Sequence, residues 1–401
     1  MINPPRHLTL GYRALFLLLP FTVEVDFGAW SLGLPSEPLI GALALALVPE
    51  AWRNRDALWK NAGMAWRLGI IWLGWMAVAA VFSSIPVVSW KFVLVETAHA
   101  WVFGAGLLLF PGLWTSSLPY FLVSMLGVEA YTLMHHAFFS FRSNQAMLAP
   151  MPFFPDHTLY AAVLTAALCL MPLTAPIEGN RRWLYVLPVL ALVAASSRAA
   201  WLSLLGAAWF TALFTKPRLR PALLGIAFVF GSILFFIKPI LSTDTSALER
   251  LNRWQCAVHM AADRPITGFG PGTFMFEYFE YQRPENMTRI SVTKPIEKRG
   301  PENYGRGGGA HSEYFQALAE TGWPGLFLWF FFIFVALLSV FRQPMQPQHL
   351  FFGLALVSFL LHALVNNFLH DARIALVFWG VVAHLRGTNN LSHRFGLFAR
   401  F

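Results

Sequence analysis

The stretch PGLFLWFFFIFVALLSVF, residues 324–341, contains no ionisable side chain. It is long enough to cross a bilayer, whose hydrocarbon core of about 30 Å asks for roughly 20 mainly apolar residues per helix. Comparable runs recur at 8–23, 31–49, 68–85, 92–111, 116–136, 158–177, 183–196, 199–214, 222–240, 350–366 and 373–385. A soluble chain of this length has no core large enough to bury them all. The sequence is 57% hydrophobic and 12% charged, against roughly 25% charged in soluble domains. Its 38 Phe and 16 Trp suit rings anchored at a lipid–water interface. The expectation is an all-α polytopic membrane protein of about 12 transmembrane helices with one long non-cytoplasmic loop.

The formal charge of +9 does not point to nucleic acid, because the cations are scattered over short connections between apolar runs. Arg53, Arg55, Lys60 and Arg67, then Arg181 and Arg182, then Lys216, Arg218 and Arg220 fall on one side. Arg342 and the tail residues Arg386, Arg394 and Arg400 follow on that side. The other side holds Lys91, Arg142, Arg198 and Arg373, with Lys238 near a helix end. This bias predicts cytoplasmic termini and places the long loop outside. The chain then divides into helices 1–9 over residues 1–240, the loop over 241–323, and helices 10–12 with a cytoplasmic tail over 324–401. Arg6 and Arg13 precede the first apolar run, but no A-x-A cleavage pattern follows, so that run reads as a retained helix. Cys169 lies in an apolar run and Cys256 in the loop, which makes neither a disulfide framework nor a metal site.

Chemistry collects in the long loop, where cations from Arg250 to Arg306 are nearly balanced by acids. Two glycine-rich stretches punctuate it, GFGPGTF at 268–274 and GRGGGAH at 305–311. The segment HSEYFQALAETG, 311–322, reads as a short helix with Gly322 as its C-cap and His311 at or just before its N-terminus. A helix dipole there disfavours imidazolium, which suits a neutral general base. From spacing alone, a loop histidine bonding backbone beside a glycine hinge is the simpler reading. Arg198 lies where a tight turn joins two apolar runs. It is either a functional charge at membrane depth or an arginine snorkelling to headgroups.

Arg264, with Arg250 and Arg253, makes a cationic wall suited to phosphate oxygens, or else pairs with Asp263 and Glu249. The glycines of 268–272 form an anion nest or, more simply, a tight turn. Polar residues inside the apolar runs include Glu96, His99, Glu129, His135, His136, Asp156, His157, His362, Asn366, Asn367, His370 and Asp371. They lack HExxH or CxxC spacing, so no metal is expected. Asn366, His370 and Asp371 are read as bracing the loop through hydrogen bonds.

Taken in order, these features resemble the O-antigen ligase family. Arg198 with Leu202 resembles its Arg-x3-Leu pattern. Arg250-Leu-Asn-Arg-Trp-Gln-Cys-Ala through Gly268–Phe274 resembles its loop segment, and His311 with Gly322 its H-x10-G motif. ETGWPGL, 320–326, is similar to the family's ExGxxGL. The resemblance covers about 190–385. It implies a periplasmic loop and a multi-pass protein of the Gram-negative inner membrane, with no cofactor. It also implies an undecaprenyl pyrophosphate-linked glycan donor and a lipid A–core acceptor, with membrane lipids as surroundings. By the same resemblance His311 is the base, with Arg198, Arg264 and, more weakly, Arg142 as pyrophosphate ligands. Arg289, Arg306, Glu320, Gly322 and Asp371 are supporting residues. The expected reaction is a metal-independent, inverting glycosyl transfer.

Rivals are an O-antigen polymerase, which tends to carry arginine where this chain has His311, and a protein O-oligosaccharyltransferase, which is usually longer. A transporter, from a different class, would line a midplane path with its charges.

Overall fold

The computed structural model describes residues 2–28, 31–142, 145–174, 183–215, 217–219, 222, 245–282, 308–342 and 347–385. The apolar run at 222–240 beyond its first residue lies outside the described residues. So do Arg181, Arg182, Lys216, Arg220 and Lys238, the stretch 283–307 with Arg289 and Arg306, and the tail arginines.

Among the described residues the chain is mostly helical. The helices are α1 (Arg6–Leu18), α2 (Ser36–Arg53), α3 (Arg55–Asn61), α4 (Met64–Val81), α5 (Pro86–Leu109), α6 (Gly112–Phe138) and α7 (His157–Leu170). They continue as α8 (Val186–Ala194), α9 (Arg198–Thr215), α10 (Thr245–Asp263), α11 (Phe274–Glu277), α12 (Glu313–Arg342), α13 (Pro347–His362) and α14 (Ala372–His384). The all-α expectation needs one correction. Residues 23–26 (β1) and 31–34 (β2) pair antiparallel, Val23 opposite Leu34 and Asp26 opposite Ser31. β-Branched Val23 and Val25 favour the extended pairing, so the second helix begins at Ser36 rather than at 31.

Among the described residues four helices are long and apolar enough to cross a membrane: Met64–Val81, Pro86–Leu109, Gly112–Phe138 and Glu313–Val340. Shorter apolar helices run over His157–Leu173, Trp183–Ala194, His349–His362 and Ala372–His384. The chain is a helical multi-pass membrane protein. Pro86 opens α5, where a missing N–H costs nothing, and α5 carries a π-helical stretch at Ala100–Ala105.

Helix association in lipid depends on close packing rather than on apolar burial alone. Accordingly α4, the second part of α12 and α14 meet through aromatic rings. Trp72 and Trp329 lie 4.7 Å apart, and Phe332 stacks on Trp379 at 5.7 Å. At Gly69 on α4 an added Cβ would lie 2.9 Å from the Trp379 ring, so the small residue admits the neighbour. Elsewhere α1 packs on α6, α9 on α13, and α13 on α7. Outside this main core, α10, α11 and the start of α12 have a small core of their own: Cys256, Met260, Phe269, Phe274, Tyr278, Ala310 and Ala319.

Candidate active site

Gly322 divides α12. Its φ of +69° is a left-handed value that breaks the helix, so 313–321 and 323–342 are two helical pieces. A helix end leaves carbonyls without intrahelical partners. Here three of them find partners from far along the chain. The N–H groups of Phe269 and Gly270 donate to Ala319 O and Glu320 O at 3.0 and 2.9 Å. The Trp75 indole on α4 donates to Thr321 O at 2.9 Å. In return Trp323 N–H donates to Pro265 O at 2.9 Å.

The turn at Gly268 and the helix end at Gly322 thus cap each other. A Cβ on Gly322 would lie 2.3 Å from Ile266 O, and one on Gly268 2.4 Å from the Glu320 carbonyl carbon. The GFGPG stretch does form a turn whose N–H groups face a carboxyl group, but the carboxyl is internal. Gly272 N–H donates to Glu320 Oε2 at 2.8 Å and Phe274 N–H to Oε1 at 3.0 Å. The turn is fastened to the membrane bundle as well, since the Ser84 N–H donates to Phe269 O at 2.9 Å.

His311 precedes the first piece of α12, half-buried and itself in left-handed backbone with φ of +51°. For a residue with a Cβ that conformation is strained and persists only when neighbours hold it. They do so from both sides. Arg253 Nη1 donates to Gly308 O and Gly309 O, each at 2.8 Å. Its Nε meets Glu249 at 3.0 Å, and its guanidinium lies 4.8 Å from the Tyr278 ring centre. The Gln316 side chain accepts from Ala310 N–H at 2.7 Å and donates to Glu320 Oε1 at 2.6 Å. His311, Glu320 and Gly322 therefore belong to one hydrogen-bonded unit.

Burial pushes the His311 ring down to about 4, helped by the positive charges of Arg253 and then Arg250, against Glu249 and Asp156. The ring is neutral at pH 7. The main cause is burial, where the sequence suggested the helix dipole.

The arginines divide into two kinds. Arg250 and Arg253, on the first half of α10, bear on His311 and also hold backbone, Arg250 through Val365 O at 3.2 Å. The sequence put them in a cationic wall, and the structure uses their donors to hold protein groups. Arg264 follows the far end of α10, about 15 Å of helix rise from Arg253. It is exposed, with its guanidinium 4.4 Å from the Phe269 ring centre. Arg198 is exposed at the start of α9, just after Ser197, whose hydroxyl accepts from Ala200 N–H at 3.4 Å as an N-cap. Arg142 is exposed after α6, and its carbonyl lies 3.2 Å from His136 Nε2. Arg289 and Arg306 lie outside the described residues.

Asp371 serves locally. It caps α14 by accepting from Arg373 N–H at 2.9 Å, and it pairs with the buried Arg373 side chain. The connection 363–371 is braced chiefly by Glu313, whose Oε1 accepts from Phe368 and Leu369 N–H at 2.6 Å each. Gln316 and Glu313 carried no recognisable signal of their own. Only their spacing, a turn or so from His311 and Glu320, hinted at a shared face. Among the described residues no three His, Cys, Asp or Glu side chains gather as a metal site.

Residues 183–330 match the family model described as O-antigen ligase. The matched stretch runs from just before α8 into the second part of α12, and includes Arg198, Arg253, Arg264, His311 and Gly322. No curated protein matches the chain.

Proposed function

We propose, from the O-antigen ligase domain that this chain carries over residues 183–330, that it is an O-antigen ligase. The family is one of glycan-transferring enzymes, shared by ligases, polymerases and oligosaccharyltransferases, whose substrates are lipid-linked glycans. In this reading the donor is an undecaprenyl pyrophosphate-linked O-polysaccharide and the acceptor a sugar hydroxyl of lipid A–core. The protein lies in a Gram-negative inner membrane with cytoplasmic termini and a periplasmic site. Residues 1–240 and 324–401 supply the membrane helices, and 241–323 the loop with the catalytic segment.

The observation that carries this reading is His311: neutral, half-buried and strapped at the mouth of the H-x10-G helix. It takes the proton of the acceptor hydroxyl as the oxygen attacks the anomeric carbon. The new C–O bond forms as the bond to the pyrophosphate oxygen breaks, inverting the centre and releasing undecaprenyl pyrophosphate. General base catalysis of this kind supplies about 10²–10⁴ in rate. The leaving group gathers negative charge, which the exposed guanidiniums of Arg198 and Arg264 neutralise without a metal. Arg142 is a weaker third ligand. Arg289 and Arg306 position substrate, while Glu320, Gly322 and Asp371 support the frame.

The test is transfer by purified protein offered lipid A–core, a peptide or a second lipid-linked glycan as acceptor. Lipid A–core should be used, and His311→Ala should reduce transfer by at least about 10²-fold with the fold retained. Preference for the peptide or the second glycan would replace ligase with one of its relatives. Near-normal transfer by His311→Ala would remove the base assignment.

A further inference from the structure

A cavity of about 40 Å3 lies where α4, α5, α12 and the α13–α14 connection meet. Trp72, Met76, Glu96, Gln316, Glu320 and Trp329 are among its lining residues. The polar atoms here do not balance. Both carboxyl oxygens of Glu96, which is 1% exposed, are buried without a hydrogen-bond partner among the described residues. The same holds for the indole Nε1 of Trp72 and of Trp329. The residues that line this one cavity therefore carry two carboxyl oxygens and two indole donors without a partner among the described residues, each bearing the cost of lost hydration.

A ligand that satisfies both kinds must donate to the carboxyl oxygens and accept from the indoles. Water does both, and at about 10–15 Å3 per water the space holds roughly three or four. A metal ion would leave the indole N–H groups unmet. An organic molecule of ordinary size does not fit.

We propose that this cavity is an internal hydration site, holding a small cluster of water hydrogen-bonded to Glu96, Trp72 and Trp329. Its position gives it a consequence for the catalytic segment. Gln316 and Glu320 line it, and these are the side chains that tie Ala310 and the Gly272–Phe274 turn to the helix after His311. The water backs that network from the membrane side, and anchors it to α5 one turn before its π-helical stretch. π-Turns of this sort often accompany functional sites.

Hydroxyl radicals generated by an X-ray pulse arise from water itself, so buried residues beside bound water are oxidised and dry ones are not. The experiment uses the full chain in lipid nanodiscs, with oxidation read by mass spectrometry. Trp379 is the internal control. It is fully buried, its indole nitrogen also lacks a partner among the described residues, and it does not line the cavity. Trp329, 1% exposed, and Met76, 3% exposed, should oxidise several-fold faster than Trp379. Equal, slow oxidation of Trp329 and Trp379 overturns the proposal, whether or not any variant folds. Glu96→Gln should keep the fast rate, because an amide also bonds water, whereas Glu96→Leu should bring Trp329 down to the Trp379 rate. A fast rate that survives Glu96→Leu counts against Glu96 as the anchor of the cluster and overturns that assignment.

Discussion

His311 combines two costs, a left-handed backbone and a ring lowered to about 4 by burial and two nearby guanidiniums. Under the proposed function, each suits a base that must be neutral and fixed before the acceptor arrives. The acid limb of kcat/KM should therefore fall near pH 4 rather than near the ordinary histidine value of 6.5. The unfolded chain, with its ordinary histidine, takes up the proton first. Acidification thus costs nothing above 6.5 and destabilises increasingly between 6.5 and about 4.

Arg253→Gln removes one of the two positive charges and the grip on Gly308 and Gly309, so the acid limb should move upward and kcat fall by about 10–100-fold. Arg253→Lys should keep the limb low yet still lose kcat, since an ammonium does not reproduce the planar contacts to Glu249, two carbonyls and Tyr278. A pH profile of kcat and KM for both variants checks this. An unmoved limb and an unchanged kcat in Arg253→Gln would deny Arg253 its positioning role. The sequence marked His311 by its motif, but nothing in RLNRWQCA said which arginine reaches toward it.

Two elements, the end of α10 with its GFGPG turn and the first piece of α12, hold each other through their backbones. Gly322→Ala forces a Cβ into left-handed backbone and against Ile266 O. It should cost roughly 1–3 kcal/mol or more. Gly268→Ala puts a Cβ against the Glu320 and Ala319 backbone on the other side of the same interface, so the two losses should not add. Thermal unfolding of the single and double variants in detergent measures this, and simple additivity would argue against interlocked caps. Gly322 as a helix stop was legible, because H-x10-G followed by proline has that shape. The partner was not legible, since Phe269 and Gly270 lie about fifty residues away and capping carries no side-chain pattern.

For the whole molecule, the described part of the long loop bonds, among other places, to the α4–α5 turn and the α13–α14 connection. Charge bias assigns both connections to the outer side. The two native cysteines are buried, Cys169 at 4% and Cys256 at 1% exposure, so introduced thiols can be read against a quiet background. A cysteine at exposed Ile266 should react with an impermeant maleimide in cells with an opened outer membrane. One at exposed Trp59 should react only after the inner membrane is breached. The reverse pattern would invert the topology.

The opening stretch, 324–341, decided by itself that this chain lives in lipid, because a charge-free run of that length has no other favourable environment. Spacing also marked the helix stop at Gly322, and motif order marked His311. Only the tertiary structure decided that the first piece of α12 begins at Glu313, that Glu320 fills the glycine turn, and that Arg253 straps the segment before His311. Those outcomes rest on hydrogen bonds between segments distant in sequence. Hydrophobic period and charge bias record where a segment lies relative to lipid, and they hold no information about which distant backbone it meets.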